Sequence, residues 1–496
     1  MSSDSDVLIV GSGIMGAVVA RLLREGDPAL RITMIEAGRP IGDVPGTHLH
    51  DIADPAVWAR YNEAVGSGIQ GLYTGATTVR HDAGHVSELP QGVHTATAFG
   101  QEADAMPAAA LAWNAGGMGV HWTAATPWPG DDEAFDFGDP ARWAEDLETA
   151  RRVLEVEPSP FEPTAVGRKV LDVLRRRYAG IGPDERQPQP MPMAVRATAF
   201  GPRPRTSPGT IFPPIAEGGD PAFALVTGTL VTALIVEGDR VTGVLLRGES
   251  ELRAQAVVVC ADALRTPQLL YTSGIRPEAL GRNLNEHAFI TSRVLVDIDR
   301  SDMPLPRVGE FATDSLWLPR NGSAQPFHGQ IMNRTYVDDE GAPLAHSVGI
   351  SLYVPLASRP ENRLTFSSTE TDLAGMPRIG IEFDYCDADR TLIDRALAEV
   401  RVIAEEFGSF DPATECALLP AGSSLHLTGT VRAGLADDGT SVCDPDGRVW
   451  GLANLYLAGN GVIPTAMAAN VTLTGAVTAV RAARTVLAEH REEARA

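Results

Sequence analysis

A glycine-rich turn near the start of the chain constrains its fold more than any other feature. The sequence Gly11-Ser-Gly13-Ile-Met-Gly16 follows the apolar run 7–10 and opens an amphipathic helical pattern, and a second apolar run follows at 31–35. Together these segments predict a β-turn-α-β unit. Glycines in such a turn let the backbone approach a pyrophosphate, which the helix N-terminus attracts. We therefore expect Gly11, Gly13 and Gly16 to bind a dinucleotide.

An acidic residue supports this interpretation of the turn. Glu36 ends the second apolar run, 20 residues after Gly16, where a carboxylate accepts the ribose 2′-OH of a bound dinucleotide. The alternative is a glycine-rich turn that only packs a helix. Strand, helix and acid in their expected places favour a cofactor site, and the carboxylate favours FAD or NAD over NADP.

The remaining periodic segments predict two lobes, each built from discontinuous pieces. The Rossmann-type lobe is extended by the apolar runs 256–260 and 455–458 and by a helix over 472–489. Alternation of apolar and polar residues within 290–365 predicts an antiparallel sheet, which we expect to be flanked by helices over 139–180 and 388–407. The segment 223–247 predicts a hairpin that turns at 237–240. We expect an α/β fold with a dinucleotide-binding lobe and a substrate lobe whose mostly antiparallel sheet is flanked by helices. The expected boundaries are 1–60, 107–130, 215–295 and 440–496 for the first domain, 131–214 and 296–439 for the second, and 61–106 for a loop-rich lid.

Charge and hydropathy exclude several classes of partner. The 496 residues include 41 Lys and Arg against 64 Asp and Glu, for a net charge of −23, which disfavours nucleic acid and anionic membrane surfaces. No apolar run reaches the length of a membrane span, and the N-terminus lacks a basic region of the kind that begins a secretory signal. We therefore expect a cytoplasmic protein without nucleic-acid or membrane partners.

Cysteine and histidine spacing indicate neither a disulfide framework nor a metal site. The four cysteines are scattered singly, and none forms a CxxC pair. The pairs His48/His50 and His81/His85 have spacings that a metal could use, but no cluster of carboxylates or cysteines joins them. We interpret these histidines as loop residues and expect no metal.

Several motifs in the second half of the chain resemble the glucose-methanol-choline (GMC) oxidoreductases, an FAD family with a glutathione-reductase-like cofactor lobe. The segment 454–474, the segment 256–275 and the GRN-x-x-E-H sequence at 281–287 match its signatures, and Glu36-Ala-Gly38 is typical of its FAD site. The resemblance covers essentially the whole chain. It implies FAD as cofactor, with contacts from Gly117, Val231, Asn460 and Thr472 in addition to the first turn.

Two segments resemble the pyranose oxidase branch of this family, which includes bacterial glycoside 3-oxidases. The first is 116–127, with His121-Trp-Thr123; the second is 426–434, which begins with His426. The scarcity of lysine fits a bacterial gene of high GC content. The resemblance implies that Thr123 contacts the flavin, that Asn470 is catalytic and that Gln330 contacts the sugar. His121 either bonds covalently to FAD or only lies beside it, and the sequence leaves both possibilities open.

The chemistry of alcohol oxidation explains the two catalytic candidates. Oxidising a sugar CH–OH needs a hydride acceptor and a group that takes the hydroxyl proton. A histidine suits the second task, since its reference pKa of roughly 6.5 leaves it neutral at pH 7. We therefore expect His426 to be the base and Asn470 to hold the same hydroxyl without charge.

The substrate class and the electron acceptor stay open at this point. The leading hypothesis is oxidation of a pyranose or glycoside at C3 or C2, with oxygen or a quinone-like acceptor. The alternatives are another GMC alcohol oxidase or dehydrogenase and a non-catalytic flavin-binding protein. The chain is shorter than the fungal tetrameric enzymes, which favours a monomer with an open site and a glycoside oxidised at C3. In that hypothesis the lid aromatics stack on an aglycone; they are Trp58, Tyr61, Tyr73 and Phe99.

Overall fold

The computed structural model describes most of the chain as two large β-sheets with helices packed against them. The described residues are 4–52, 54–57, 59, 91–196, 204–296, 313–337, 343–408, 410–493 and 495. One sheet is mostly parallel and contains the two strands that flank the glycine-rich turn and its helix, and the other sheet is antiparallel. The expected α/β class is therefore confirmed, whereas the exact domain boundaries stay a prediction.

The first sheet carries the predicted cofactor turn. Its strands are β1 (Asp4–Val10), β2 (Ile32–Ile35), β8 (Phe223–Val226), β9 (Val231–Glu237), β10 (Arg240–Leu246), β11 (Glu251–Val259) and β19 (Leu455–Leu457). They run in the order β8-β2-β1-β11-β10-β9, and β19 pairs with β11. β8, β2, β1, β11 and β19 are parallel, so the carboxyl ends of these five strands meet at one edge of the sheet.

The predicted hairpin over 223–247 is only partly correct. β9 and β10 do form an antiparallel hairpin, which turns at Gly238 with a φ of +67°. β8 instead lies beside β2 in parallel orientation. The reason is the turn at Gly228, whose φ is also +67°, because it redirects the chain between β8 and β9.

The helices pack mainly on the first sheet and on one face of the second. They are α1 (Ile14–Gly26), α2 (Pro140–Val153), α3 (Ala165–Arg177), α4 (Pro208–Ile211), α5 (Pro214–Glu217), α6 (Asp262–Thr272), α7 (Asp387–Glu405), α8 (Pro412–Glu415) and α9 (Thr472–Glu493). α9 packs between α1 and α2, and its Arg481 is buried with an ion pair to Asp146 at 2.8 Å. No helix among the described residues combines the length and the apolar character needed to cross a bilayer.

The second sheet is antiparallel, as predicted. Its strands are β6 (Gln189–Pro190), β12 (His287–Val296), β13 (Thr313–Leu318), β14 (His328–Val337), β15 (Pro343–Pro355) and β18 (Cys416–Leu418), in the order β18-β12-β15-β14-β13-β6. α3 and α7 cover one face, where Ile290, Ile331 and Ile350 lie in a common core. Since side chains alternate along a strand, His328 points to the opposite face.

Three short two-stranded sheets complete the described elements. They pair β3 (Gly92–Thr95) with β4 (Ala110–Trp113), β5 (Val156–Glu157) with β7 (Met193–Ala194), and β16 (Arg363–Thr371) with β17 (Pro377–Glu382). Part of the expected lid, including Trp58, Tyr61 and Tyr73, lies outside the described residues. The expectation for Phe99 is wrong: its ring is fully buried against Trp113 and under Arg265, so it cannot stack on a substrate.

Candidate active site

The turn after β1 leaves no room for side chains where the chain doubles back. Gly11 has a φ of +105°, and a Cβ there would lie 2.5 Å from the carbonyl oxygen of Cys260. A Cβ on Gly16 would lie 2.1 Å from the oxygen of Gly11. Gly13 begins α1 without a side-chain cap, and a Cβ on it would meet only the oxygen of Gly116, at 3.9 Å. The first amides of α1 therefore lie at an open surface suited to an anion.

Glu36 lies buried beside this turn. Its Oε2 accepts from the backbone nitrogen of Ser12 at 3.0 Å and from Ser12 Oγ at 2.8 Å, and its Oε1 accepts from the nitrogen of Gly38 at 2.9 Å. Burial raises the pKa of Glu36, and these three donors oppose the rise. A carboxylate has about four acceptor positions, so Glu36 can accept a ribose hydroxyl as well.

The segment before β9 crosses the end of β2 at Glu36. The nitrogen of Thr229 donates to the backbone oxygen of Glu36 at 2.9 Å. Val231, which the family resemblance assigns to the adenine, begins β9 two residues later and is buried. The structure therefore brings the segment of Val231 to the same end of the turn as Glu36.

A second pair of glycines faces the N-terminus of α1. Gly116 and Gly117 have φ values of +89° and +52°. The nitrogen of Gly116 donates to Ser12 Oγ at 2.9 Å, and a Cβ on Gly117 would lie 3.4 Å from Gly13 Cα. Two glycine turns from distant parts of the sequence thus line one groove.

His121 follows this second glycine turn and has a defined tautomer. Its Nε2 lies 2.9 Å from Asn114 Oδ1. The amide nitrogen of Asn114 already donates to the oxygens of Ala115 and Gly117, which makes Oδ1 the acceptor and His121 Nε2 the donor. Burial lowers the pKa of His121 to about 3, so the ring is neutral. Thr123, two residues on, is exposed.

The start of α9 closes the groove from the other side. Asn460 Oδ1 is buried and has no hydrogen-bond partner among the described residues. A Cβ on Gly475 would lie 2.2 Å from this oxygen and 2.8 Å from Met15 of α1, so only glycine fits there. Thr472 is the first residue of α9. The glycine groove, the Glu36 acceptor and the unpaired Asn460 oxygen together fit a dinucleotide cofactor.

A pair of histidines lies where the second sheet meets the first lobe. His426 Nδ1 lies 2.7 Å from His287 Nε2, and His287 Nδ1 lies 3.3 Å from the carbonyl oxygen of Met467. A carbonyl only accepts, so His287 Nδ1 carries its proton. Burial holds the pKa of His287 well below its usual range, and the neutral ring must accept at Nε2 from His426 Nδ1–H.

The hydrogen-bonded relay from Met467 through His287 to His426 determines which nitrogen of His426 is basic. Burial lowers the pKa of His426 to about 4, so its ring is also neutral near pH 7. With the proton on Nδ1, the lone pair is on Nε2. His426 Nε2 is therefore able to accept a proton from a bound hydroxyl group.

Asn470 is oriented by a second relay. Trp317 Nε1 donates to His328 Nδ1 at 3.0 Å, and His328 Nε2 lies 3.1 Å from Asn470 Oδ1. Since an indole nitrogen only donates, His328 carries its proton on Nε2 and donates to Asn470. Burial lowers the pKa of His328 to about 3. The Asn470 amide oxygen is thus occupied, and its NH₂ group is left to donate to a substrate oxygen.

Tyr353 joins the two relays. Its ring packs against His287 with centroids 4.6 Å apart and stacks on His328 at 5.4 Å. The structure therefore connects the two predicted catalytic residues through Tyr353: His426, which is half-buried, through His287, and the buried Asn470 through His328. No role is predicted from the sequence for His287, His328 or Tyr353. Of the three, His287 ends the GRN-x-x-E-H motif, so its position in that motif is a sequence signal for a residue of the site.

The loop that presents His426 is strained. Leu425 has a φ of +58°, a left-handed conformation that is costly for a residue with a side chain. Glu286 holds this loop: its Oε1 accepts from the nitrogen of Gly422 at 2.7 Å, and its Oε2 accepts from Ser424 Oγ at 2.7 Å. Ser424 Oγ in turn accepts from the nitrogen of His426 at 3.1 Å. Burial raises the pKa of Glu286 to about 7.

Gln330 lies further along the same face of the second sheet. It follows His328 by two residues on β14 and is buried, and its Nε2 lies 3.3 Å from Ser315 Oγ. Met332, two residues beyond, is 39% exposed. Gln330 thus lies between the buried relay and an exposed rim, as a residue that contacts a substrate would.

Family models describe two parts of the chain. Residues 205–289 match the N-terminal part of the GMC oxidoreductase model, and residues 358–479 match the C-terminal part. The first part includes Val231, Glu286 and His287, and the second includes His426, Asn460 and Asn470.

Curated relatives match the chain over nearly its whole length. It is 37% identical to the C-glycoside 3-oxidase of Microbacterium trichothecenolyticum, covering 98% of this chain and 96% of the relative. It is 36% identical to the C-glycoside 3-oxidase of Arthrobacter globiformis, covering 98% and 95%. Identity to the pyranose 2-oxidase of Emericella nidulans is 26%, covering 97% and 92%.

Solved structures share the fold. Pyridoxine 4-oxidase from Mesorbium loti superposes with a TM-score of 0.63 at 19% identity, covering 97% of this chain and 99% of that one. Formate oxidase gives a TM-score of 0.65 at 16% identity, covering 99% of both chains. At such identities the likeness supports the architecture alone.

Proposed function

The chain belongs to the GMC oxidoreductase family, and from this premise we propose that it oxidises a secondary hydroxyl group of a pyranose sugar or glycoside to a ketone, with FAD as cofactor. The observation that carries the proposal is the pairing of a neutral base, His426 Nε2, with an oriented donor, the Asn470 amide. Such a pair matches one alcohol oxygen, which donates its proton to the first and accepts a hydrogen bond from the second.

The two residues have separate tasks in the proposed reaction. His426 Nε2 removes the hydroxyl proton, and His287 keeps that nitrogen free by accepting from Nδ1. The Asn470 amide donates to the same oxygen, and this hydrogen bond strengthens as negative charge develops there. FAD, when bound, supplies the hydride acceptor at flavin N5. Gln330 would contact the sugar from β14.

The residues that line the glycine groove would hold the cofactor. Glu36 would accept from the ribose, the turns at Gly11–Gly16 and Gly117 would admit the pyrophosphate, and Asn460 would use its unpaired oxygen. Val231, Thr123 and Thr472 stay proposed contacts on the strength of their family motifs.

We propose that FAD is retained without a covalent bond through His121 Nε2, because that nitrogen already donates to Asn114 Oδ1. Acid precipitation of the purified enzyme should then give a colourless pellet and a yellow supernatant. A yellow pellet that becomes colourless in His121→Ala would contradict this part of the proposal.

The relatives favour a glycoside oxidised at C3 over a free sugar oxidised at C2. Two C-glycoside 3-oxidases share 36–37% identity with the chain, against 26% for a pyranose 2-oxidase. Because all of these relatives are named oxidases, oxygen is the proposed electron acceptor, with hydrogen peroxide as co-product. The expected monomer belongs to the same proposal and can be tested by light scattering.

A substrate panel tests the proposed function. Purified enzyme under air is given glucose, aryl O-glucosides, aryl C-glucosides, and choline or aryl alcohols, and the keto product is identified by NMR. We expect the largest kcat/KM for a glycoside, a 3-keto product and turnover slowed by about 10²–10⁴-fold in His426→Ala. A larger kcat/KM for glucose with a 2-keto product would reject the C3 preference. Turnover of only the non-sugar alcohols would reject the sugar assignment.

A further inference from the structure

Two buried glutamates hold the two loops that carry the proposed catalytic side chains. Glu286 accepts from the His426 loop at Gly422 and Ser424, as described above. Glu133 does the same for the segment before Asn470: its Oε1 accepts from the nitrogen of Ala468 at 2.5 Å and from that of Ala469 at 3.0 Å. Neither carboxylate has a part in the proposed chemistry, so their presence needs another explanation.

Glu133 binds the segment before Asn470 through both its side chain and its backbone. Besides the two amides, its backbone oxygen accepts from Thr465 Oγ1 at 2.8 Å, and its Oε2 accepts from the nitrogen of Gly130 at 2.5 Å. The segment between these contacts contains Met467, whose carbonyl accepts from His287. Glu133 therefore supports Asn470 directly along the chain and also supports the relay that determines the tautomer of His426.

Both side chains are buried, and in these contacts their oxygens act as hydrogen-bond acceptors. Glu133 is fully buried and Glu286 is 3% exposed. A carboxylate offers two acceptor oxygens without a donor, and its hydrogen bonds to amides are stronger than those between neutral groups. A buried charge is costly unless it is well hydrogen-bonded, and in both residues most of the donors come from a segment that presents a catalytic side chain.

We propose that Glu133 and Glu286 are positioning residues that fix the Asn470 segment and the His426 loop at the spacing that one hydroxyl group requires. The proposal rests on the assignment of His426 and Asn470 under the proposed function. A displacement of about 1 Å between reacting groups costs roughly 100-fold in rate, so two loops without regular secondary structure need such anchors.

Shortening each side chain tests the proposal. Glu133→Asp and Glu286→Asp keep the carboxyl group but withdraw its oxygens by about one C–C bond, roughly 1.5 Å. We expect anaerobic stopped-flow to show flavin reduction at saturating substrate slowed by about tenfold or more. FAD content and the substrate Kd should stay within about threefold of wild type, because neither binding surface includes these carboxylates.

The Gln variants separate positioning from charge. In Glu286→Gln the amide oxygen accepts from Gly422 and the NH₂ group donates to Ser424 Oγ, so both contacts survive. In Glu133→Gln the amide oxygen retains Ala468 and Ala469, and only the contact to the nitrogen of Gly130, which lies outside the Asn470 segment, is lost. Both variants should reduce flavin within about threefold of wild type. A loss equal to that of the Asp variants would mean that the charge matters, and would overturn the positioning role.

Asp389 provides a control, because it is a buried carboxyl group that accepts from neither the His426 loop nor the Asn470 segment. It is 3% exposed, and its two oxygens accept from the nitrogens of Ala357 and Cys386 at 2.9 Å each, near the start of α7. Asp389→Ala should lower the melting temperature but leave the reduction rate per bound flavin unchanged. An equal loss of rate in Asp389→Ala would mean that Glu133 and Glu286 only stabilise the fold, and would contradict the positioning role.

Hydrogen exchange gives a readout that does not depend on substrate. Glu286→Asp should speed amide exchange in 420–427 and Glu133→Asp should speed it in 465–470, whereas Asp389→Ala should change neither. If wild-type flavin is reduced by a non-sugar alcohol alone, the sugar assignment fails, and the same variants are compared with that alcohol. Unchanged exchange together with unchanged rates in the Asp variants would reject the proposal.

Milder variants cover the case in which an Asp variant does not fold. Ser424→Ala removes one contact to Glu286, and Thr465→Val removes one contact to Glu133. Each should slow flavin reduction by a few-fold at unchanged FAD content. Wild-type rates in both would count against the proposal.

Discussion

The two ends of the proposed active site are built in different ways. At the cofactor end, the turn at Gly11–Gly16 and Glu36 come from one stretch of 26 residues, and the contacts use backbone amides, the absence of side chains at the glycines and the Glu36 carboxylate. Gly116, Gly117 and Asn460 join this stretch from other parts of the chain. At the catalytic end, the hydrogen bonds join residues 139, 142 and 180 positions apart, and nearly all of them use side chains. A local motif thus defines one end, and the folding of the whole chain assembles the other.

This difference predicts that variants at the two ends fail in different ways. Loss of a contact in the glycine groove should release the cofactor while leaving the chemistry of the loaded molecules intact. Loss of a side chain in the relays should do the reverse. The following experiments test that separation.

The largest effect is expected for the base. His426→Ala should slow flavin reduction by about 10²–10⁴-fold, since general base catalysis contributes that much, and should leave FAD content unchanged. Asn470→Ala should lose less, because the amide positions the hydroxyl and accepts no proton. Anaerobic stopped-flow measures both. Reduction of His426→Ala at the wild-type rate would reject the assignment.

The next effect concerns cofactor affinity. Glu36→Ala removes the acceptor for the ribose and leaves buried donors of Ser12 and Gly38 unpaired. A bound ribose hydroxyl left without its acceptor costs roughly 1–3 kcal/mol, or about 5- to 150-fold in FAD affinity, whereas the unpaired donors of the protein lower the stability of the free and bound forms alike. Flavin fluorescence after gel filtration measures the loss. The reduction rate per retained flavin should equal that of wild type, and a slower rate would break the separation of the two ends.

A smaller effect is expected when the tautomer relay is removed. His287→Leu leaves His426 Nδ1–H without its acceptor. The proton can then move from Nδ1 to Nε2, the nitrogen that must be unprotonated to act as the base. We expect flavin reduction in His287→Leu to be about tenfold slower than in wild type. His287→Gln, whose amide oxygen can accept from Nδ1, should recover most of the rate. Equal rates in the Leu variant and wild type would mean that the relay has no effect.

The smallest effect is expected from pH. His426 must be neutral to act, and burial lowers its pKa to about 4. Protonation disables the base below that value, so flavin reduction should change by less than about twofold between pH 8 and 5 and fall steeply only near pH 4. The nearby His287 and His328 are neutral over this range for the same reason. Glu286, whose pKa is about 7, could add only a partial step, and that step should vanish in Glu286→Gln.

Sequence reasoning succeeded where the signal is local. The glycine turn and the runs that became β1, β2 and β11 are contiguous patterns, and the structure confirms them as local structure. The cofactor contacts expected of the turn and of Glu36 stay a prediction. His426 and Asn470 were predicted because their surrounding motifs resemble a known family. The structure adds that the two residues are connected through His287, Tyr353 and His328, and their roles stay proposals until the variants are measured.

The failures have a common physical cause, which is packing between distant segments. Phe99 lies in a stretch without periodicity, and its burial depends on Trp113 and Arg265, which the fold brings to it. Glu133 has no role predicted from the sequence, and its side chain is fully buried although it ends the acidic run Asp131-Asp132-Glu133. No pattern in the sequence separates Glu133 from its neighbours, because its partners follow more than 330 positions later.

The left-handed backbone of Leu425 has a consequence for engineering. A glycine or asparagine adopts that conformation at lower cost than leucine, so selection of variant libraries for heat resistance should enrich such replacements at this position. Relaxing the neighbour of His426 would also loosen the geometry that the loop imposes on the imidazole. Thermostable descendants chosen without an activity screen should therefore lose turnover, which makes position 425 a site of conflict between durability and catalysis.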